Sequence, residues 1–425
     1  MEEDEFKDTE IGRIPKDWEI RHFGDVVKYN LGRTPSRIIK KYWENPYFYW
    51  VSISDMIQYG EIKFTKEKIS EIALDEIFKS KYSLKGTLLM SFKLVIGRVS
   101  ILGVDAVHNE AIISIFPFNN ILDKFYLMYY LSNISYDRYL DRAVKGNTLN
   151  RKKLDMLHII IPPLDEQKRI AYVLTKIQNA IKIQNRIINS LQELKKSMMH
   201  KLFTEGIGHT EFKDTEIGRI PKEWDIFKLE DIAMVFSGNT APQEEKYFKN
   251  GKYPFIRVRH LTKLENYKYP LKYDLINDEA VTVLKLRKFK RGSIIFPKSG
   301  ESIKLEKRAI LKEDSYIVNH LAVIEPTKKI NNLFLFYYLN TVKTNNYLVG
   351  TSMPSLQLSV IKKFLIPIPS PDEQNRIAYI LSAIDNIISI EEDRKKYFEA
   401  LFKTMLNKLM TGQIRVKNLE MREND

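Results

Sequence analysis

One fifteen-residue block is written twice in this chain. Residues 6–20 read FKDTEIGRIPKDWEI and residues 212–226 read FKDTEIGRIPKEWDI, identical at thirteen positions and exchanging Asp with Glu at the other two. A second pair follows at offset 207: Asp165-Glu166-Gln167-Lys168-Arg169-Ile170-Ala171-Tyr172 against Asp372-Glu373-Gln374-Asn375-Arg376-Ile377-Ala378-Tyr379. Two long matches at nearly one offset mark a duplicated chain, which must fold as two related units. Between the matched blocks, residues 21–163 and 227–369 are equal in length but share only traces. Gly32-Arg33-Thr34 faces Gly238-Asn239-Thr240, Lys85-Gly86-Thr87-Leu88-Leu89 faces Arg291-Gly292-Ser293-Ile294-Ile295, and Tyr129-Tyr130-Leu131 faces Tyr337-Tyr338-Leu339. Uniform drift would not leave connectors nearly identical and inserts almost unrecognisable, so different demands act on the two parts.

The connectors read as long helices. Ile170, Leu174, Ile177, Ile181, Gln184, Ile188, Leu191, Lys195, Met198 and Leu202 step alternately by four and three, and so do Ile377, Leu381, Ile384, Ile388, Glu391, Lys395, Phe398, Phe402, Met405 and Leu409. Such a 3.5-residue period over about four heptads is a coiled-coil seam. Pro162-Pro163 and Pro369/Pro371 prevent an earlier start. Asp165 and Asp372 are expected as N-caps, and Gly206 and Gly412 as stops. From 165 to 203 such a helix is about 58 Å long at about 1.5 Å per residue. Two of them in one chain can pair as a rod; the alternative is that each stripe packs only on its own globular domain. The matching register favours the rod.

The inserts carry the positive charge. The chain is +14 overall, yet residues 21–163 alone are +7 and residues 227–369 are +11, leaving the connectors net negative. The codon bias of an AT-rich genome would enrich lysine without sorting charge by domain, so a nucleic-acid partner is expected. Candidate contacts lie in loops and basic runs. The first insert offers Arg33, Thr34, Ser36 and Arg37 in a Gly/Pro/Ser loop, then Lys145 and Arg151-Lys152. The second offers Asn239, Thr240 and Gln243, then Arg257 and Arg259, which alternate in a strand-like stretch and would share a face, then Lys288, Lys290 and Arg291 within a dense basic run. Arginine suits guanine edges and Asn or Gln suits adenine, while Lys and Ser/Thr mostly hold phosphates. Each alone is more often a solvated surface residue. Each insert is expected as a compact α+β domain, with strands at Leu88–Phe92, Ile112–Phe116, Ser293–Phe296 and Ala322–Ile324 and one aromatic-rich helix near 123–141 or 331–342.

Much chemistry is excluded. There is no cysteine, hence no disulfide, thiolate zinc site or cysteine nucleophile. The seven histidines show no ligand-like spacing. No phosphate-binding loop motif and no dinucleotide fingerprint occur. Asn45-Pro46-Tyr47-Phe48 resembles the Asn-Pro-Pro-Tyr/Phe motif of amino-methyltransferases only in part, since the second proline is missing, and reads better as a turn into a buried strand. No catalytic residue, cofactor or metal is expected. No apolar run is long enough to span a membrane, and the acidic start does not resemble a secretion signal, so a cytoplasmic location is expected.

The two P-x-x-E-Q-x-x-I-A blocks (Pro163 to Ala171; Pro371 to Ala378, one residue tighter after the proline) each follow an Ile/Pro-rich strand. With the I-G-x-I-P-x-x-W blocks (Ile11–Trp18, Ile217–Trp224) and the KTMLNKLMTG ending (Lys403 to Gly412), mirrored at 196–206, they make the chain resemble the specificity subunits (HsdS) of Type I restriction-modification enzymes. The resemblance covers nearly the whole chain. It implies an α+β fold class with two duplicated mixed α/β target-recognition domains, joined by two long antiparallel coiled-coil helices in a pseudo-twofold arrangement. The expected segments are a recognition domain over 1–163, a helical spacer over 164–211, a second recognition domain over 212–369 and a second spacer over 370–425. It implies that each domain reads half of a bipartite asymmetric DNA site, while the helices set the gap and dock two modification (methyltransferase) subunits, with restriction subunits joining. Methyl transfer and cleavage would belong to those partners. Polar residues fall at different seam positions in the two helices (Ile188/Lys395, Lys195/Phe402), which leaves the pairing open. A stand-alone DNA-binding regulator, a structural scaffold with incidental charge, and a methyltransferase with an unrecognised site remain as alternatives.

Overall fold

The computed structural model describes residues 5–143, 146–348 and 354–421. The chain forms two compact units, one of residues 1–183 with 396–425 and one of residues 184–395. The division runs through both long helices, the central helix Leu164–Thr204 and the C-terminal helix Pro371–Met410. Each unit is therefore a globular domain packed on one half of each helix.

In the first unit, the duplicated block forms a hairpin, Phe6–Thr9 against Gly12–Pro15, turning at Gly12, whose φ of +116° disfavours a side chain. Glu19–His22 then pairs antiparallel with His158–Ile161, the strand that leads into the central helix. Five strands make the main sheet in the order Val27–Leu31, Ile112–Pro117, Leu88–Ser91, Val99–Leu102, Gly60–Ile62, with only the last pair parallel. A smaller sheet sets Phe48–Val51 between Val107–His108 and Glu67–Ile69. The core gathers Trp18, Phe23, Ile113 and Ile115 with the helix Lys124–Asn133, then Ile170 and Leu174 of the central helix and Phe402, Leu406 and Leu409 of the C-terminal helix.

The second unit repeats this plan. Phe212–Thr215 pairs with Gly218–Pro221, and Asp225–Lys228 with Leu365–Ile368. Two four-stranded sheets follow, one built on Ala233–Ser237 and Leu321–Pro326, the other on Tyr253–Ile256 and Ser315–Ile317. The core joins Trp224, Ile294, Ile324 and the helix Asn332–Leu339 to Leu202, Phe203, Ile377 and Leu381 of the long helices.

The expected helix seam faces inward in both units. Gln184 and Glu391, polar at seam positions, meet each other: the Gln184 amide donates to the Glu391 carbonyl (3.1 Å) and carboxylate. With Lys195 beside Asp385, the halves in the second unit run antiparallel. Several boundaries differ from expectation. The long helices start at Leu164 and Pro371, so Asp165 and Asp372 lie inside the first turn, where they complement the positive helix end without capping it. Ser370 caps the second, its hydroxyl accepting from the Glu373 N–H (3.3 Å). The aromatic helices are short: the first ends at Asn133, where Ile134 turns extended, and residues 137–139 form only a 3₁₀ turn. Gly206 and Gly412 follow the long helices at φ +63° and +70°, as helix stops should.

The duplicated motifs build the joints between domain and helix. In the first unit the Trp18 indole N–H donates to Glu166 (3.1 Å), and in the second Trp224 donates to Glu373 (3.0 Å). Next to each glutamate a glutamine ties three segments together. Gln167 donates to the carbonyls of Pro162 and Ile121 and accepts from the Asp123 N–H; Gln374 donates to Pro369 and accepts from the Asn331 N–H. Both glutamines and both glutamates are buried, and burying such groups is tolerable only with partners in place. The E-Q pair and the distant tryptophan are thus one device, which accounts for their joint duplication. The remaining lone pairs are satisfied differently. In the first unit Arg415 holds Glu166 through two contacts (2.8 and 2.7 Å) and Asp17 through two more. In the second, His209 lies 3.0 Å from both Glu373 oxygens and 3.5 Å from Glu223.

Candidate nucleic-acid interface

Each unit carries one loop pinned in the same way. In the first, the Gly32 N–H donates to the Ile112 carbonyl (3.1 Å) and the Arg33 N–H to the His108 carbonyl (2.8 Å). In the second, Gly238 donates to Leu321 (3.1 Å) and Asn239 to Ile317 (2.5 Å). The backbone passes so close that a Cβ on Gly32 would meet the Asn109 carbonyl oxygen at 2.1 Å, and one on Gly238 the Val318 oxygen at 2.2 Å. Glycine is required here by contact, and the residues after it are displayed outward: Arg33 and Thr34 in one unit, Thr240 in the other, are exposed.

In the first unit the pinned loop borders a groove of about 510 Å³ lined by Leu31, Gly32, Phe92, Lys93, Glu110, Leu149, Asn150 and Arg151. The structure thereby brings Gly32, at the start of the pinned loop, into one groove with Arg151, more than a hundred residues away. The Leu149 N–H donates to the Phe92 carbonyl (3.1 Å), and Asn150 caps the short helix Arg151–Asp155 through the Lys153 N–H (3.0 Å). Arg151 and Lys152 are exposed at the start of that helix. The Arg151 guanidinium lies 5.7 Å from the Tyr29 ring, and burial together with the Asp155 hydrogen bond (2.7 Å) pushes the Tyr29 hydroxyl up to about 12, so it remains a neutral donor. Thr34 donates to Glu110 across the groove mouth. Arg33 donates to the Ile77 carbonyl (2.7 Å) on the other side of the loop, where a second cleft is lined by Asn30, Lys81, His108 and Ser114. Burial pushes His108 down to about 4, so it adds no cation there.

Arg37 and Ser36 lie further along this segment. Arg37 binds Glu67 through both nitrogens (2.6 and 2.8 Å) and stacks on Trp43 at 3.7 Å. Its guanidinium holds the Glu67 carboxyl below its ordinary value. Ser36 is exposed, and its carbonyl accepts from the Trp43 indole (3.2 Å). Lys145 lies outside the described residues.

In the second unit several candidates differ in role from the sequence reading. Asn239 directs its amide inward: it donates to the Arg287 carbonyl (2.9 Å) and accepts from the Arg287 N–H (2.7 Å). Arg257 and Arg259 do not alternate on a strand. The strand ends at Ile256, Arg257 precedes a 3₁₀ turn over Val258–Thr262, and both arginines converge on one carboxylate, Asp274, at 2.7 and 2.6 Å. Arg257 is further held by the Pro242 carbonyl (3.1 Å) and is mostly covered, whereas Arg259 stays 66% exposed. Burial drives the Asp274 carboxyl up, but the two arginines outweigh it and leave it lowered, hence ionised. Gln243 is exposed, bonded only locally to the Ala241 carbonyl (3.3 Å) among the described contacts. The basic run does not form one patch. Arg287 lies over Phe236 (3.5 Å), Lys288 is exposed beside Tyr253 (5.6 Å), Lys290 is exposed, and Arg291 lines a separate cavity with Lys312 and Asn332.

Sequence reasoning missed Lys93 and Lys298, which follow equivalent strands at offset 205, and the exposed Asn319-His320 turn, whose Asn319 N–H donates to the Asn239 carbonyl (2.7 Å). The recurrence of the two lysines was the available signal. Among the described residues no cluster suited to a metal ion occurs, and no helix is long and apolar enough to cross a membrane.

Comparisons with known proteins agree with this anatomy. Residues 15–193 and 221–400 both match the family described as Type I restriction modification DNA specificity domain. The chain is 32% identical over 444 residues to the Type I restriction enzyme MjaIX specificity subunit of Methanocaldococcus jannaschii, covering 98% of each chain. It is 31% identical over 439 residues to the MjaVIII specificity subunit of the same organism, covering 98% of this chain and 97% of the other. Its fold is similar to the crystal structure of a Type I restriction-modification system S subunit from M. genitalium, with a TM-score of 0.55 at 13% identity over 92% of this chain and 96% of that one.

Proposed function

Because the chain belongs to the Type I restriction modification DNA specificity family, we infer that it is the sequence-specific DNA-recognition subunit of a Type I restriction-modification complex. Each globular domain reads one half of a bipartite, asymmetric site in double-stranded DNA. The observation that carries this reading is the pair of identically pinned loops that display different residues, Arg33 and Thr34 in one unit and Thr240 alone in the other, where Asn239 turns inward. A constant frame with variable displayed side chains is what two unlike half-sites require.

The first half-site is contacted from the groove beside the pinned loop, with Arg33, Thr34, Lys93, Arg151 and Lys152 at its edges; Ser36, Arg37 and Lys145 extend that surface. The second is contacted by Thr240, Gln243, Arg259, Lys288 and Lys290. Asn239 and Arg257 shape this second surface from beneath, Arg287 lies exposed over Phe236 beside it, and Arg291 lies at its margin. Arg259, braced by Asp274 and still exposed, is suited to a base edge. The segments act as recognition domains over 1–163 and 212–369 and as spacers over 164–211 and 370–425, with the helices fixing the gap. Two modification subunits dock on the helices, where Ile183, Tyr397 and Leu401 in the first unit and Leu194, Ile387 and Ile390 in the second stay exposed and apolar. Restriction subunits join that assembly, and methyl transfer and cleavage reside in these partners. The chain itself is non-catalytic and works in the cytoplasm, where the DNA is.

The test is DNA selection at fixed salt, since phosphate contacts make affinity salt-dependent. The chain with its modification subunits should enrich two short, unlike sequences at one spacing. Symmetric halves or no enrichment would sink the reading.

A further inference from the structure

The second globular domain is bolted to the helices by a buried charge cluster. Asp385 of the C-terminal helix is fully buried. Its Oδ2 accepts from the Tyr337 hydroxyl (2.6 Å) and from the Lys268 ammonium (3.2 Å). Lys195 of the central helix stands 2.5 Å from Oδ1 as a charge contact not aligned as a hydrogen bond. Lys268 is itself buried, and burial pulls its ammonium below the ordinary lysine value against the attraction of Asp385. It comes from a tight turn in which Asn266 and Tyr267 adopt φ +47° and +59°, a conformation disfavoured for residues with a Cβ. That turn also sends Tyr267 onto the helix contact of Ile188, Ile384 and Ile388, where its hydroxyl donates to Glu392. The Lys268 carbonyl meanwhile accepts from Ile310 of the domain's sheet (2.7 Å). Sheet, aromatic helix and both long helices therefore meet at one carboxylate.

The first unit makes the equivalent joint without charge. Tyr59, also at positive φ (+56°), and Tyr129 pack on Phe402 at ring distances of 5.2 and 6.0 Å. Phe402 and Lys195 are equivalent at offset 207, Tyr59 and Tyr267 at offset 208. Aromatic packing tolerates small slides, whereas a buried carboxylate between two ammoniums has one low-energy placement, because any displacement leaves a charge unpaired in a dry site.

We propose that Lys195, Lys268 and Asp385 are positioning residues that hold the second DNA-reading domain at one setting on the helices, and so enforce the gap between the two half-sites. This rests on the bipartite reading above. Asp385→Asn keeps the shape and removes the charge that both lysines face. In the complex with modification subunits, DNA selection from a library that varies the gap should return both half-site sequences unchanged. The preference for the best gap over its neighbours should fall at least tenfold. A single gap held as tightly as in the parent chain would overturn the proposal. Should the second half-site vanish altogether, Lys195→Met, which alters the least buried member of the cluster (22% exposed), decides on the same readout. If the parent chain selects no bipartite site, the reading beneath it has failed, and that outcome is distinct from the others.

Discussion

Removing Arg415 should unfasten the first recognition domain from its helices. Arg415 contacts Glu166 twice and Asp17 twice, but the two carboxylates differ in worth. Asp17 is 40% exposed and also faces Lys417 (2.9 Å), so solvent screens it and its pairing contributes at most about 1 kcal/mol. Glu166 is 2% exposed. In Arg415→Ala it keeps, among the described residues, only the Trp18 indole (3.1 Å) and the Val416 N–H (3.3 Å) as donors, and a buried carboxylate deprived of its counter-ion costs about 3–5 kcal/mol. For a unit of this size that corresponds to a melting transition lowered by roughly 6–20 °C, at about 2–4 °C per kcal/mol. Scanning calorimetry on the full chain, with Lys417→Ala as the surface control, measures it. Adding Glu166→Gln should recover much of the loss, because the amide oxygen still accepts from Trp18 while the orphaned charge is gone. A loss below about 1 kcal/mol, or no recovery in the double variant, would refute the claim that the joint is electrostatic.

Three further outcomes follow from the same geometry. The hydrogen bond from Arg415, opposed by burial and aided by Lys417, holds the Asp17 carboxyl down at about 2, and Glu166 is lowered against its own desolvation. Both are depressed acids, so their contribution is complete above the ordinary carboxylate values and drains away as pH falls from those values toward about 2. Denaturation midpoints across that window should fall more steeply in the parent chain than in Arg415→Ala. Gly32→Ala and Gly238→Ala push a methyl to 2.1 and 2.2 Å from a carbonyl oxygen, so each should degrade selection of one half-site at least tenfold and leave the other intact. Arg151→Ala with Lys152→Ala should lower the slope of log affinity against log salt by about 1.8 if each holds one phosphate; an unchanged slope removes both from the interface.

Much of the architecture was legible because duplication and helical period are local, countable properties. Ile170, Leu174, Ile188 and Leu202 of one seam and Ile377, Leu381, Ile384, Ile388, Phe402 and Leu409 of the other are buried as their spacing requires, since a period of 3.5 leaves only one face to bury. The E-Q motifs were visible but their purpose was not. Glu166 and Trp18 are 148 residues apart, and no local rule pairs them. The site was less legible than the fold for a related reason. Composition marks Arg257 and Asn239 as suited to bases, but a guanidinium or amide serves the protein equally well when a carboxylate such as Asp274 or a backbone such as that of Arg287 comes within reach. Lys93 escaped notice because a lone lysine after a strand carries no local signal. Its recurrence as Lys298 and its placement with Arg151 in one groove give it meaning.

The two units should read DNA independently of one another. Replacing residues 227–369 with the matching segment of the MjaIX specificity subunit, with all connectors kept, tests it most directly by DNA selection. One half of the selected site should change while the other half stays as it was. A site altered in both halves, or in neither, would contradict it.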